Sequence, residues 1–162
     1  MSRRMMMAGA GGGGLAGPSP ILRSYSQLAS TQGSGSVVMN VPADSVAGDM
    51  LLVIATGYDF NGVSAPSSPP AGQQFLINTQ PESGIVYSWS WGISTGTPTI
   101  SIPIGQNIGG DRNFTILAIT KDTFTPLIAP TMANVPTQGS TYSPAGVAPV
   151  ARALWIAGLG AN

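Results

Sequence analysis

The chain contains no cysteine and no histidine, and only 7% of its residues are charged. The absence of cysteine excludes disulfides and thiolate chemistry. The absence of histidine removes the usual general base, the usual zinc ligand and every Ser-His-Asp triad. The only lysine, Lys121, has no surroundings that would make it a base for a serine nucleophile. We therefore expect a protein that is not an enzyme and that holds no cofactor.

The acidic residues are spread along the chain, and none is predicted to lie beside another on a strand. They are Asp44, Asp49, Asp59, Glu82, Asp111 and Asp122. This spacing does not indicate a carboxylate pair for acid–base catalysis, and no loop offers enough oxygen ligands to predict a calcium site. We interpret Asp44 and Asp49, which share one turn, as residues that cap backbone N–H groups.

Charge is balanced as well as scarce, with six basic and six acidic residues. Arg3 and Arg4 form the only basic pair, so a nucleic-acid partner, which needs clustered Lys and Arg, is not expected. No run of 18 apolar residues predicts a transmembrane helix. Because a net charge near zero promotes association, this composition favours a chain that packs against other chains.

Residues 1–20 are rich in Gly, Met and Ala, and we predict an extended arm that docks on another protein. Six glycines between residues 9 and 17 interrupt the apolar stretch that a signal peptide would need. Methionine side chains fill irregular grooves, and glycine lets a backbone approach another surface closely. The alternative is a tail without a partner. The candidate docking residues are Arg3, Arg4, Met5, Met6, Met7 and Leu15.

Residues 21–35 are polar and predict a linker, with a short strand around Ile21–Tyr25. Residues 36–162 show two-residue alternation and Gly/Pro-rich turns, without a sustained helical period. This pattern predicts an all-β fold, an antiparallel β-sandwich of the jelly-roll or Ig-like type with seven or eight strands. The predicted strands are Val37–Val41, Met50–Ala55, Phe75–Ile77, Ile85–Ile93, Thr99–Ile104, Asn113–Thr120 and Ala153–Ala157, with a short eighth at Thr141–Tyr142.

Aromatic residues occupy one face of the strand Ile85–Ile93, in which Tyr87, Trp89 and Trp91 alternate with small residues. We interpret this face as core rather than as a ligand platform. Tyr58, Phe60 and Tyr142 are predicted in loops. There they either pack back over the sandwich edge or form a carbohydrate-binding surface.

Several short segments occur in a familiar order. They are Val41-Pro42-Ala43, Ala47–Val53, Pro69–Gly72, Tyr87–Trp91, Gly96–Thr99 and Phe114–Ile119. In this order they resemble a β-sandwich module of tailed-phage virion proteins, found in tail fibres, appendages and head decorations. The resemblance covers residues 36–120 and, more loosely, 121–157. The chain departs from the module at Gln73, where the pattern has Trp, and at Trp89 and Trp91, where it has charged or small residues.

The resemblance implies a structural protein located in the virion, a tail fibre or tail appendage anchored by its N-terminal arm. A capsid decoration protein is the alternative. The implied partners are other virion proteins and further copies of the chain, with a trimer as the expected assembly, and without nucleic acid or membrane. In such modules more strands follow the one at Ala153–Ala157, so a partner chain supplies the missing edge or the sequence is part of a longer protein. The second functional hypothesis is a module that binds a host surface glycan.

Overall fold

The computed structural model describes residues 20–29, 35–58, 64–82, 84–105 and 111–120. These residues contain seven β-strands and no helix. The strands are β1 (Leu22–Ala29), β2 (Gly35–Asn40), β3 (Met50–Tyr58), β4 (Gln73–Glu82), β5 (Ile85–Ile93), β6 (Thr99–Ile104) and β7 (Asp111–Ile119).

The strands form two antiparallel sheets. Five strands make one sheet in the order β1-β7-β3-β5-β4, and β2 pairs with β6 in the other. The expectation of an all-β, sandwich-like antiparallel fold is confirmed for the described part of the chain. β3 lies at the centre of the larger sheet, as its continuous apolar run predicts.

The two sheets pack face to face, and the apolar side chains between them make up the inner core. On β2, Val37 and Met39 point into this core, whereas Val38 between them is 64% exposed. The same alternation on β7 buries Phe114 and Ile116. The inner core consists of Val37, Met39, Leu51, Val53, Ile102, Ile104, Phe114, Ile116 and Ala118. Each fully buried side chain of this size stabilises the fold by roughly 1.5–3 kcal/mol.

β1 and β4 extend furthest beyond their predicted bounds. β1 lies in the stretch whose polar composition predicts a linker, and it pairs with β7 from Leu22 to Ala29. β4 reaches from Gln73 to Glu82, although only Phe75–Ile77 has an apolar strand pattern. Both are edge strands, where half of the surface faces solvent and polar residues cost little.

The face of β5 that points at the smaller sheet carries the small side chains, and the aromatic face lies on the opposite side of the sheet, where Trp91 packs against a second apolar cluster. The buried face of β5 carries Val86, Ser88, Ser90 and Gly92, and the face with Tyr87, Trp89 and Trp91 is only half-buried. The small face turns inward because residues 64–72 pack closely against β4 and β5 there. A Cβ at Gly92 would lie 2.7 Å from the carbonyl oxygen of Gly72.

Three predicted features lie outside the described residues. They are the arm at residues 1–19, the short strand Thr141–Tyr142 and the strand Ala153–Ala157. The arm's last residue, Pro20, begins the described part of the chain.

Candidate functional site

The main candidate surface is the outer face of the five-stranded sheet, defined as the face that points away from β2 and β6. The pairing register places Leu52 of β3 between Trp91 of β5 and Leu117 of β7. One step along the strands, Met50 lies between Ile93 and Ile119. Since both faces of this sheet carry apolar side chains, each face needs a covering layer.

The outer face has an apolar end and a polar end. At the apolar end, four side chains are almost completely buried: Met50 and Leu52 at 1%, Leu117 at 2% and Ile119 at 0% exposure. Partly buried side chains pack against these four, namely Leu22, Ile54, Leu76 and Trp91. Together these eight residues form what we call the apolar end.

Towards the other end of the same strands, the outer face becomes polar. Thr56 lies between Tyr87 and Asn113 in the register. Next to them, Gln27 of β1 donates a hydrogen bond from Nε2 to Oγ1 of Thr115, at 3.3 Å. Tyr87 is half-buried and Asn113 is exposed. Aromatic rings thus stand beside neutral hydroxyl and amide groups at what we call the polar end.

An ion pair between the exposed Arg23 and the buried Asp49 joins β1 to the turn that precedes β3. Nε of Arg23 lies 2.9 Å from Oδ2 of Asp49, a side chain with 3% exposure. The backbone N–H of Val46 also donates to this oxygen, at 3.0 Å. The carboxylate therefore caps its own turn, as the sequence predicts for this position. The guanidinium of Arg23 and the backbone amide of Val46 together hold this carboxylate between β1 and the turn.

The same turn is held to the connection between β5 and β6. Ser94 donates its backbone N–H to the carbonyl of Asp49, at 2.7 Å, and accepts from the N–H of Gly48, at 2.9 Å. These bonds fix one end of the sandwich and leave the Asp49 side chain directed at β1.

A buried arginine, Arg112, lies at the opposite end of the inner core. Nη2 of Arg112 donates to the carbonyl of Gly105, at 3.1 Å, and so ties the start of β7 to the end of β6. Burial lowers the pKa of the Arg112 guanidinium because it penalises the charged form. This arginine is a structural link within the core.

A pocket of about 640 Å³ opens between β6 and the strand ends of β4 and β5. Ile100 and Ser101 line one side, and Gln73 and Gly92 line the other, with Leu51 as part of the lining as well. The described residues that line it are uncharged, so the pocket offers hydroxyl, amide and apolar groups. Such a surface can accept a neutral ligand or a peptide segment, and it carries no general base.

The residues singled out from the sequence do not form a site in the described part of the chain. Tyr58 is the last residue of β3 rather than a loop residue. Phe60 and Tyr142 lie outside the described residues, as do the arm residues Arg3, Arg4, Met5, Met6, Met7 and Leu15.

Sequence reasoning missed the outer face, although a signal for it exists. β3 and β7 are apolar at consecutive positions, and β5 adds an aromatic row on the matching face.

Within the described ranges, no group of three or more acidic side chains comes together as a metal site. Nor does that part of the chain contain a helix long and apolar enough to cross a membrane. Comparison of the chain with protein-family models, with curated proteins and with solved structures finds no match in any of the three.

Proposed function

We propose that this chain is a structural virion protein of a tailed phage, a tail fibre or tail appendage that residues 1–20 attach to the particle. A capsid decoration protein is the alternative. The resemblance of residues 36–120 to virion sandwich modules supports this, together with the scarcity of charge. The sandwich would be of the jelly-roll or Ig-like type, and its mechanism would be assembly through buried apolar surface and added strand pairing.

The observation that carries the proposal is the free edge of β1. β7 pairs with one edge of β1, and no strand in the described part of the chain pairs with the other. Tyr25 on this strand is 62% exposed, and Leu28 is exposed as well. The only charged residue of β1, Arg23, is held by Asp49. Edge strands that avoid pairing usually carry free charges or proline, so this edge fits strand addition by another chain.

The position of β1 in the chain connects this edge to the arm. Residues 1–20 lead directly into Ile21, which is itself 60% exposed, and then into β1. An arm bound to a neighbouring virion protein would bring the edge of β1 to the same neighbour. Arm and edge would then act as one continuous docking element.

Deletion of residues 2–17 tests the anchoring step. We expect the truncated chain to keep the circular dichroism spectrum and the cooperative unfolding of the full chain, because the described strands begin at Leu22. Particles purified from the phage that encodes the chain should contain the full-length protein by mass spectrometry and lack the truncated one. Incorporation of the truncated protein at the full-length level would contradict the proposal.

The substitution Tyr25→Arg tests the edge. Val38→Arg is a matched control, because Val38 is equally exposed, at 64% against 62%, and lies on the smaller sheet. We expect Tyr25→Arg to reduce oligomer formation in light scattering after size exclusion, with a trimer as the expected wild-type state. Val38→Arg should leave it unchanged. Equal oligomerisation of both variants and the wild type would rule out the β1 edge as the contact.

A carbohydrate-binding module is the second candidate, and the polar end of the outer face favours it. Tyr87 and Asn113 flank Thr56 there, and in the adjacent row Trp89 and Thr115 flank Ile54. Aromatic rings next to neutral hydrogen-bonding groups suit a sugar, which presents both C–H faces and hydroxyls. Binding on a glycan array that is lost on Trp89→Ala and kept on Val38→Ala would support this function. A blank array together with particle incorporation would favour the first.

A further inference from the structure

The burial of the apolar end of the outer face is not explained by the described strands. Met50, Leu52, Leu117 and Ile119 are 0–2% exposed, on the face that points away from β2 and β6. The two strands of the smaller sheet pack on the inner core instead. These exposures are those of a single chain without any neighbouring copy. A bare sheet face would leave these four side chains exposed, so their burial requires a covering layer.

The exposed side chains on the same face limit where this cover lies. Tyr25, which is paired with Leu117 in the register, is 62% exposed, and Ile93, which is paired with Met50, is 42% exposed. The part of the outer face that needs a covering layer therefore spans β3 and β7 and excludes Tyr25 and Ile93.

The chain leaves the described sheet at this place. β7 ends at Ile119, one of the four buried residues, and Thr120 is 7% exposed. Thr120 donates its N–H to the carbonyl of Ile21, at 2.9 Å, and its Oγ1 accepts from the N–H of Ile21, at 3.0 Å. Residue 121 therefore starts beside the apolar end, as does residue 19 in the opposite chain direction.

Composition distinguishes these two segments. Residues 121–162 contain only three charges, at Lys121, Asp122 and Arg152, and many large apolar side chains. Those side chains are Phe124, Leu127, Ile128, Met132, Val135, Tyr142, Val147, Val150, Leu154, Trp155, Ile156 and Leu159. Residues 1–19 offer five large apolar side chains, Met1, Met5, Met6, Met7 and Leu15, together with six glycines. The C-terminal segment therefore has more than twice as many large apolar side chains as the N-terminal segment, and it matches the face better.

We propose that residues 121–162 of the same chain dock on the apolar end of the outer face. The contact is intramolecular and apolar, and it closes this side of the sandwich. The apolar end is therefore part of the core and is not a surface for other virion proteins. The inference does not depend on the proposed function, because it rests on burial within a single chain.

Photo-crosslinking of the full-length chain tests this. Trp91→p-benzoylphenylalanine places an aromatic photoprobe at the half-buried rim of the apolar end, and the same probe at Val38, on the outward face of β2, is the control. If the Trp91 variant fails to unfold cooperatively, Leu76 provides a second half-buried probe site in the same cluster. Mixing copies with natural and heavy nitrogen separates cross-links within one copy from those between copies.

Trypsin makes the result easy to read, because the chain is cut after Arg23, Arg112, Lys121 and Arg152. We expect the probe at Trp91 to cross-link peptide 122–152 or 153–162 of the same copy, with a yield well above that of the Val38 probe. Cross-links to residues 5–23, cross-links between heavy and light copies, or cross-links confined to residues 24–121 would each overturn the proposal.

Discussion

The substitution Gly92→Ala tests how closely the turn before β4 packs against β5. A Cβ at Gly92 would lie 2.7 Å from the carbonyl oxygen of Gly72 and 2.8 Å from Cγ of Gln73. Two contacts prevent the backbone of this turn from moving away from Gly92. The N–H of Gln73 donates to the carbonyl of Pro70 at 3.0 Å, and Gln73 is paired with Gly92 in the sheet. The added methyl group must therefore separate two bonded backbone segments.

The expected loss of stability follows from two opposing effects. Overpacking a buried site costs about 1–3 kcal/mol. Replacing glycine also restricts the unfolded chain, which stabilises the protein by about 0.4–1 kcal/mol. We expect a net loss of about 1–2 kcal/mol in the free energy of unfolding, measured by urea denaturation with tryptophan fluorescence. For a chain of this length the corresponding drop in melting temperature is about 2–8 °C.

Gly72 provides the matched control, because its backbone conformation, and not a lack of space, favours glycine there. Its φ is +77°, and no atom lies within 4 Å of an added Cβ. Gly72→Ala should cost about 1–2 kcal/mol through backbone strain, and Gly72→Asn should recover part of that cost because asparagine tolerates this conformation. Gly92→Asn should lower the free energy of unfolding at least as much as Gly92→Ala does. A Gly92→Ala protein as stable as the wild type, or rescue of Gly92 by asparagine, would refute the reasoning.

Three further predictions concern the core and its polar links. Phe114→Ala, at a ring with 1% exposure, should cost about 3–5 kcal/mol in thermal or urea unfolding, and a loss below 1 kcal/mol would contradict the inner core described here. Asp49→Ala should cost about 1–3 kcal/mol. A double-mutant cycle with Arg23→Met should give a coupling energy of only about 0.2–1 kcal/mol, because the Arg23 side chain is 38% exposed. A coupling energy of zero would show that Asp49 stabilises the protein only by capping its turn. Ser90→Ala removes the 2.7 Å hydrogen bond to Oε1 of Gln73 and should cost about 1 kcal/mol by the same assay, whereas an unchanged midpoint would mean that water replaces the hydroxyl.

The strands with strict alternation could be predicted closely from the sequence. β5 and β6 have the predicted bounds, because turn residues flank a clean two-residue period in each. β1 could not be predicted at full length. Its sequence LRSYSQLA is weakly patterned, and the bonds that make it a strand come from β7, which lies nearly ninety residues further along the chain.

Alternation also could not tell which face of β5 turns inward. Aromatic residues on one face normally indicate the core, but the inner face here also has to accommodate residues 64–72. Nδ2 of Asn78 bonds to the carbonyl of Pro66 at 2.8 Å, and Gly92 leaves room for Gly72. A close approach between a loop and a strand is a tertiary feature that no local pattern contains. For the same reason, the outer face can be recognised only when the pairing register of β3, β5 and β7 is known.

The hydrogen bonds between Ile21 and Thr120 have a mechanical consequence. They place the entry to β1 and the exit from β7 at one corner of the sheet, across an antiparallel pair. A tensile load that pulls the chain at this entry and this exit would peel β1 from β7 one bond at a time, because such a pair opens from its end. A load carried by the sheet through other contacts would instead have to shear many bonds together. The module would therefore yield at low force if stretched through its two chain connections and resist if held by its surface.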